Sequence, residues 1–476
     1  MARRFERVRR MGLLAVLGLA LVLVMPGRGA AESLADVLVA AYRNSNLLEQ
    51  NRALLRATDE DLVQAQARLL PVVRFIVGAQ AQFQNPPPMF GSGTTRSVGV
   101  SATLSATVPI IDFGRGQLGI QAAREAVLGT RAALVGIEQA VLLRAVQSYL
   151  NVRSTRDTVA LRRNNVELIR QELRAARERF ELGDSTRTDV AIAEARLAAA
   201  QSALSAAEGD FAVAREDFNF AVGRYPNNLA APPRLPRLPA SVEDAQAIAR
   251  RNHPSIRQAQ HQVAAADLQA QITRAQRMGT VAGSLTARGS ATGGTARRDV
   301  TAGVDWSVDL YTGGQAPSAE RRAMAQHEAQ RAALHQTVAQ VLQSVAANWA
   351  QLAVARARLE ASDLQIAAAQ SAYEAVRAEA ELGSRTTLDV LNAEQELLDA
   401  QSGRIVAAAT VQLAAYALLE ATGQLTVEGL NLGIPTYDVE AYSGQHQVIQ
   451  RRETPSEQGQ RLDRIMSRQS PLITDR

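Results

Sequence analysis

Apolar positions recur every seven residues along much of this chain. Val190, Leu197, Leu204, Phe211 and Phe218 form one row, and Ala193, Ala200, Ala207, Ala214 and Ala221 keep the same step three positions on. Both rows return further along, as Val390, Leu397, Arg404, Val411 and Leu418 beside Ala393, Ala400, Ala407, Ala414 and Ala421, with one polar intruder. A third row, Val152, Val159, Val166, Leu173 and Phe180, precedes the first. A seven-residue period is the pattern of helices packed along their length. Over 114–182 and 314–382 there is no proline beyond the first turn, and glycine is confined to 114–136 in the first and to Gly314 in the second. The pattern predicts two helices of roughly 100 Å each, followed by return helices over 186–221 and 386–421.

Four short stretches keep a period of two instead. Val73, Phe75, Val77, Ala79, Ala81 and Phe83 alternate with Arg74, Ile76, Gly78, Gln80 and Gln82; Val98, Val100, Ala102, Leu104, Ala106 and Val108 alternate with Gly99, Ser101, Thr103, Ser105 and Thr107. Val281, Gly283, Leu285 and Ala287, then Val300, Ala302, Val304, Trp306, Val308 and Leu310, do the same further on. One apolar face against one small or polar face over about ten residues fits a tilted strand with lipid on one side and water on the other. The stretches group into β-hairpins over about 72–108 and 280–310, with "NPPPMFGSGTT" and "GSATGGTARRD" as loops.

The two sets are copies. "ELGDSTRTDV" at 181–190 returns as "ELGSRTTLDV" at 381–390, and the same offset of 200 aligns Gly114 with Gly314, Tyr149 with Trp349, Glu194 with Glu394 and Gly223 with Gly423. Upstream, "SLADVLVAAYRNSN" at 33 matches "SVEDAQAIARRNHP" at 241 with an offset of 208. The division is a first repeat over 32–223, a proline-rich extended linker over 224–240, a second repeat over 241–423, and a polar, partly disordered tail over 424–476.

Composition narrows the function. Aromatic residues make up only 4% of the chain, so alanine does much of the packing. The net charge of +5 is carried by the first 31 residues, which hold six arginines and one glutamate, and gives no reason to expect a nucleic-acid partner. Those residues read as a signal peptide: arginines, an apolar run from Met11 to Met25 too short for a comfortable span, and Gly29 and Ala31 suited to cleavage after Ala31. There is no cysteine for a disulfide, a metal site or a lipid anchor. The pairs His253 with His261 and His327 with His335 are eight apart, which is no ligand spacing, and read as surface helix residues. No catalytic motif emerges, and neither enzyme activity nor a cofactor or metal is expected.

Four strands cannot close a membrane barrel with a lumen, and open sheet edges are not tolerated in lipid. Two copies would give eight strands, a size filled by its own side chains, whereas three give twelve and an aqueous pore. The expected fold is an α+β membrane protein: a trimeric twelve-stranded β-barrel, four strands per chain, continued by a long α-helical coiled-coil barrel.

The "SLADVLVAAYRNSN" start, the glycine junctions at Gly114 and Gly314, the aromatic Tyr149 and Trp349, and the doubled "ELGxxxxxDV" together resemble the outer-membrane efflux protein family, the TolC-like channels. The resemblance covers 33–423. It implies a homotrimer in outer-membrane lipid with its helices in the periplasm, serving as the exit duct of an efflux or secretion system. Its implied partners are a periplasmic adaptor (membrane fusion protein) and an inner-membrane pump of the RND, ABC or MFS type.

The same resemblance places the doubled turn at the periplasmic tip. Gly183 and Gly383, with Leu182 and Leu382, stand where adaptor hairpins meet the tip; Thr188, Asp189 and Arg385 stand where neighbouring coils are tied shut; Asp389 matches an acidic ring. Asn392 and Ala380 depart from the pattern, the first replacing a second acidic ring position and the second an aromatic gate partner. Asp189 and Asp389, three residues after Thr186 and Thr386, also fit a helix-capping role alone. Two rival readings stand beside the efflux duct: the outer-membrane component of type I protein secretion, and a periplasmic coiled-coil scaffold without a pore.

Overall fold

The computed structural model describes residues 31–84, 95–183 and 186–437. The signal segment before Ala31, the first hairpin loop, two residues of the first tip turn and the tail from 438 lie outside the described residues. The elements follow one order twice. The first pass is α1 (Leu34–Asn44), α2 (Asn46–Ala67), β1 (Val72–Gln84), β2 (Thr95–Ile111), α3 (Arg115–Glu181) and α4 (Arg187–Val222). The second is α5 (Val242–Asn252), α6 (Pro254–Ala275), β3 (Thr280–Thr292), β4 (Thr295–Ser307), α7 (Gln315–Glu381) and α8 (Thr387–Ala421). The two long helices each run for 67 residues without a break.

The chain divides into two compact units. One comprises the described residues up to Asn44 with Arg144–Leu235 and Arg358–Leu413. Here the alanine row of α4 forms the tight seam: Ala193, Ala200, Ala207 and Ala214 are buried, while Val190, Leu197 and Leu204 are only half-buried beside them. A methyl side chain lets helix axes approach closely, and the larger neighbours then fill the flanks. Leu173, Ala176 and Ala193 pack as one cluster, and Val166, Ile169, Ala200 and Leu391 as another. In α8 both rows are buried, Val390, Leu397 and Val411 together with Ala400 and Ala407, and Arg404, the intruder, turns outward to Asp363 at 2.5 Å.

The linker is extended and pinned. Leu229 is buried, Ala230 N–H donates to Glu32 O at 2.9 Å, and Tyr149 Oη and Arg153 Nη1 both donate to Ala230 O, at 2.7 and 2.5 Å. Proline leaves carbonyls without neighbouring N–H donors, so side chains of α3 satisfy them.

The other unit comprises Ser45–Leu143, Pro236–Ala357 and the described residues from Ala414. Its helical core sets Ala245, Ile256 and Val263 of α5 and α6 against Leu334, Val341, Val345 and Leu352 of α7, with Ala415 and Leu418 of α8. Two histidines differ from their reading as surface helix residues. His253 precedes α6 as its N-cap, its Nδ1 accepting from Ser255 N–H at 3.2 Å; His261 is half-buried, its Nδ1 2.8 Å from the buried Glu125 carboxylate. The residues just after Gly423, polar in composition, are packed rather than loose: Leu425 and Val427 are buried and Val427 N–H donates to Glu138 at 2.7 Å. Two apolar anchors hold a segment whose average composition reads as tail.

The repeats keep one close contact in common. Gly223 ends α4 in the left-handed region, where an added Cβ would lie 2.8 Å from Asn44; Gly423 ends α8 likewise, 2.9 Å from His253 Cα and 3.0 Å from Asn252 O. Only glycine permits both the angle and the approach.

Candidate functional site

The sheet is an antiparallel meander in the order β1-β2-β3-β4. Its register joins the four alternating stretches face to face. Phe75 pairs with Leu104, Leu104 with Ala287, and Ala287 with Val300, so one row crosses all four strands. The next row joins Val73, Ala106, Leu285 and Ala302. The opposite face carries Ile76, Thr103, Arg288 and Asp299 in one row and Arg74, Ser105, Thr286 and Thr301 in another. A register slip of one residue on any strand would mix the faces. The apolar side chains Val73, Phe75, Leu104, Val300, Val304 and Trp306 stand exposed, as lipid-facing residues must.

The outer edges of β1 and β4 have no strand beside them among the described residues. In lipid a row of unpaired N–H and C=O groups is excluded, so these edges require other copies of the chain.

At the C-terminal ends of α3 and α7 lie the two doubled turns. Gly183 and Gly383 have φ of 84° and 79° with open space where a side chain would go, so left-handed geometry alone demands glycine there. Gly383 N–H donates to Ala380 O and Ser384 N–H to Glu379 O, both at 3.0 Å, closing the last turn of α7. Leu182 and Leu382 beside them are strongly exposed, at 77% and 86%. Asp189 and Asp389 both complete capping boxes. Asp389 Oδ2 accepts from Thr386 N–H at 3.0 Å and Oγ at 2.8 Å, and Asp389 N–H donates back to Thr386 Oγ at 3.2 Å; Thr186 and Asp189 repeat this. These bonds hold the Asp389 carboxyl below the usual carboxylate range. Thr188 is exposed one residue before Asp189. Arg385 donates from Nε to Glu379 Oε2 at 2.8 Å within its own turn.

Two residues near the tip emerge from the structure alone. Arg196 of α4 donates to Asn392 Oδ1 at 2.8 Å, which gives the amide at that position a partner. Glu394 is 4% exposed in the apolar stripe of Val390, Leu391, Leu397 and Leu398. Its Oε1 accepts from Asn165 Nδ2 at 2.9 Å, and its Oε2 meets no donor among the described residues. Burial pushes this carboxyl up to about 7, with Glu172 adding and Arg377 opposing. The visible signal in the sequence was a charge three and four residues from leucines on both sides.

The profile of the outer membrane efflux protein family matches residues 37–224 and 247–424, one match to each repeat. The chain belongs to that family. It is 33% identical to the outer membrane efflux protein BepC of Brucella suis over 88% of this chain and 91% of that one. It is 25% identical to the outer membrane protein TolC of Vibrio cholerae over 85% and 94%, and 26% identical to the alkaline protease secretion protein AprF of Pseudomonas aeruginosa over 63% and 65%. Among solved structures, the Campylobacter jejuni CmeC outer membrane channel superposes with a TM-score of 0.72 at 13% identity, covering 89% of this chain and 95% of that one. Vibrio cholerae VceC does so at 0.69 and 19%, covering 82% and 96%.

Outer membrane efflux proteins are channels with a four-stranded contribution from each chain and a helical tunnel, and this chain has that fold. It is an outer-membrane channel whose helical part lies in the periplasm. Members of the family are trimeric channels that work with adaptor proteins and inner-membrane pumps. Membership, with the two-faced sheet, sets aside the scaffold without a pore.

Proposed function

We propose that three copies of this chain form one exit duct, receiving substrates from a periplasmic adaptor and an inner-membrane pump of the RND, ABC or MFS type and releasing them outside the cell. The observation that carries this reading is the sheet, with one continuous apolar face and two edges that need partners. Joining β4 of each copy to β1 of the next pairs every edge, and three copies leave an aqueous lumen where two would not. The test is the native mass of protein extracted by detergent from isolated outer membranes. A trimer is expected; recovery without detergent as a soluble monomer or dimer overturns the duct.

The tip is its periplasmic gate. Leu182 and Leu382, displayed by the turns at Gly183 and Gly383, offer apolar contacts to adaptor hairpins, while Arg385, Thr188 and Asp189 help hold neighbouring coils together. Asp389 supplies an acidic ring of three carboxylates on the pore axis. Capping and ring roles are compatible, since Thr386 engages Oδ2 and Oδ1 makes no hydrogen bond among the described residues. Asp389→Asn keeps a capping acceptor but removes the charge, and Thr386→Ala removes the capping hydroxyl but keeps the charge. Block of the reconstituted pore by a multivalent cation should weaken about tenfold in the first variant, and hardly at all in the second. Equal block in both would refute the ring.

For cargo we take small-molecule efflux, because BepC, matched over most of both chains, is an efflux protein by name. Deleting the gene should then raise drug susceptibility and leave the set of secreted proteins unchanged. The reverse result favours type I secretion, the role AprF is named for.

A further inference from the structure

The outward apolar stretch has one length on three of the four strands. It runs from Val73 to Phe83, from Val98 to Val108 and from Val281 to Ala291, while on β4 it runs from Val300 to Trp306, one residue before the strand ends. The first three each cover ten residue steps, about 33 Å along a strand at 3.3 Å per residue. At a tilt of about 35–45° this spans roughly 23–27 Å across the membrane, the height of a lipid-facing band. The next outward position toward the hairpin loops is Arg96 on β2 and Arg298 on β4. With the helices in the periplasm, that end of the band is the outer leaflet.

Both arginines are exposed and lack counter-charge. Arg96 pairs in register with Phe83, its guanidinium carbon 5.5 Å from the ring centroid. Arg298 pairs with Gly289, beside which the space is open. Neither has an ion pair among the described residues, and no acidic residue occurs from Phe83 to Ala106 or from Val281 to Arg298. Asp299 is on the other face, opposite Arg288. At the helix end of the sheet the pattern is opposite: Arg277 and Arg274 both reach Glu320, at 3.1 and 3.9 Å. A planar guanidinium grips a phosphate through two parallel hydrogen bonds, and partial stacking on an aromatic ring orients it for this.

We propose that Arg96 and Arg298 bind the phosphate groups of phosphorylated glycolipid in the outer leaflet, forming a collar around the barrel at headgroup level. The ligand class is a lipid-borne phosphate monoester, held by charge and bidentate geometry above a band matched to the acyl chains.

The test uses the full-length protein in mild detergent and two probes, bisphosphorylated lipid A and the same lipid after enzymatic dephosphorylation, with retention read by native mass spectrometry. The phosphorylated form should be retained at least about tenfold more, and the paired variant R96Q/R298Q should lose that preference while keeping its pore conductance. R96K/R298K, which keeps charge without the planar fork, should retain an intermediate share and guards against a folding defect in the glutamine variant. R288Q, on the lumen face one row from Arg298, should bind as the parent does. Equal retention of the two lipids, an unaffected R96Q/R298Q, or an equal loss in R288Q would each overturn the collar. Displacement of the lipid by millimolar inorganic phosphate would overturn the lipid as its source.

Discussion

Gly279→Ala should leave little assembled channel in the outer membrane. Gly279 links the short turn Gln276–Met278 to β3 with φ 77° and ψ −156°, a region that residues with a side chain scarcely enter. An alanine Cβ would lie 2.2 Å from Ser307 O and 2.9 Å from Val308 Cβ, where the chain leaves β4. Backbone blocks the methyl, so β3 or the end of β4 must move, and the row that pairs Thr280 with Ser307 fails first. Strain of about 1–3 kcal/mol adds to that displacement, and a total above about 3 kcal/mol is expected. Trimer bands on semi-native gels of outer-membrane fractions should fall below a tenth of the parent's. Gly293→Ala is the control: its φ is 56°, but nothing stands near its missing side chain, so the cost stays near 1–2 kcal/mol and assembly persists. Matching losses in the two variants would show that the close approach to Ser307 is unimportant.

Glu394→Gln should stabilise the channel at pH 8 and leave it unchanged at pH 4.5. In the folded chain this carboxyl holds its proton up to about 7, whereas in the unfolded chain it ionises from its ordinary value of 4.5. Between those values the folded state binds more protons, so stability falls with rising pH across this window and levels off above it. The difference is on the order of 3 kcal/mol. Glutamine keeps an Oε1 acceptor for Asn165 and removes the ionisation. Thermal transitions of parent and variant, recorded from pH 4.5 to 8.5, should coincide at the acid end and separate by a few degrees at the alkaline end. Curves that stay parallel would mean that Glu394 ionises freely in the folded chain.

Much of this was legible in the residue pattern, and the parts that were not share a cause. The seven-residue rows located α3, α4, α7 and α8, because a long helix repeats its buried face many times and errors average out. Alternation located both faces of the strands, since Val73 to Phe83 switches side at every step. It did not disclose that Leu104 meets Ala287, or that the register shifts between Pro109 and Ile111, since β2 and β3 are far apart in sequence and meet only through tertiary pairing. At the tip, Thr186 with Asp189 and Thr386 with Asp389 were readable as capping boxes from their spacing. The Arg196–Asn392 and Asn165–Glu394 bonds were not, because each joins different helices with no spacing to betray it. The bonds from Tyr149 and Arg153 to Ala230 O were hidden for another reason: a carbonyl acceptor leaves no mark on residue identity.

The two hairpins differ in their connections and in the length of their second strands, 17 residues in β2 and 13 in β4. From Val72 to Gln84 the first copy matches Thr280 to Thr292 at an offset of 208, and from Thr95 to Val222 it matches Thr295 onward at 200. The loop between β1 and β2 is ten residues long and that between β3 and β4 is two, which accounts for the whole change. Between the repeats, then, the long helices keep 67 residues and β1 and β3 keep thirteen, while the number of residues between the paired strands has changed. The turn at Gly293 and Gly294, with open space beside both, shows how little chain such a connection needs, so its length can change without moving the strands it joins. It is also where a foreign peptide can be displayed at the cell surface with both neighbouring strands already anchored.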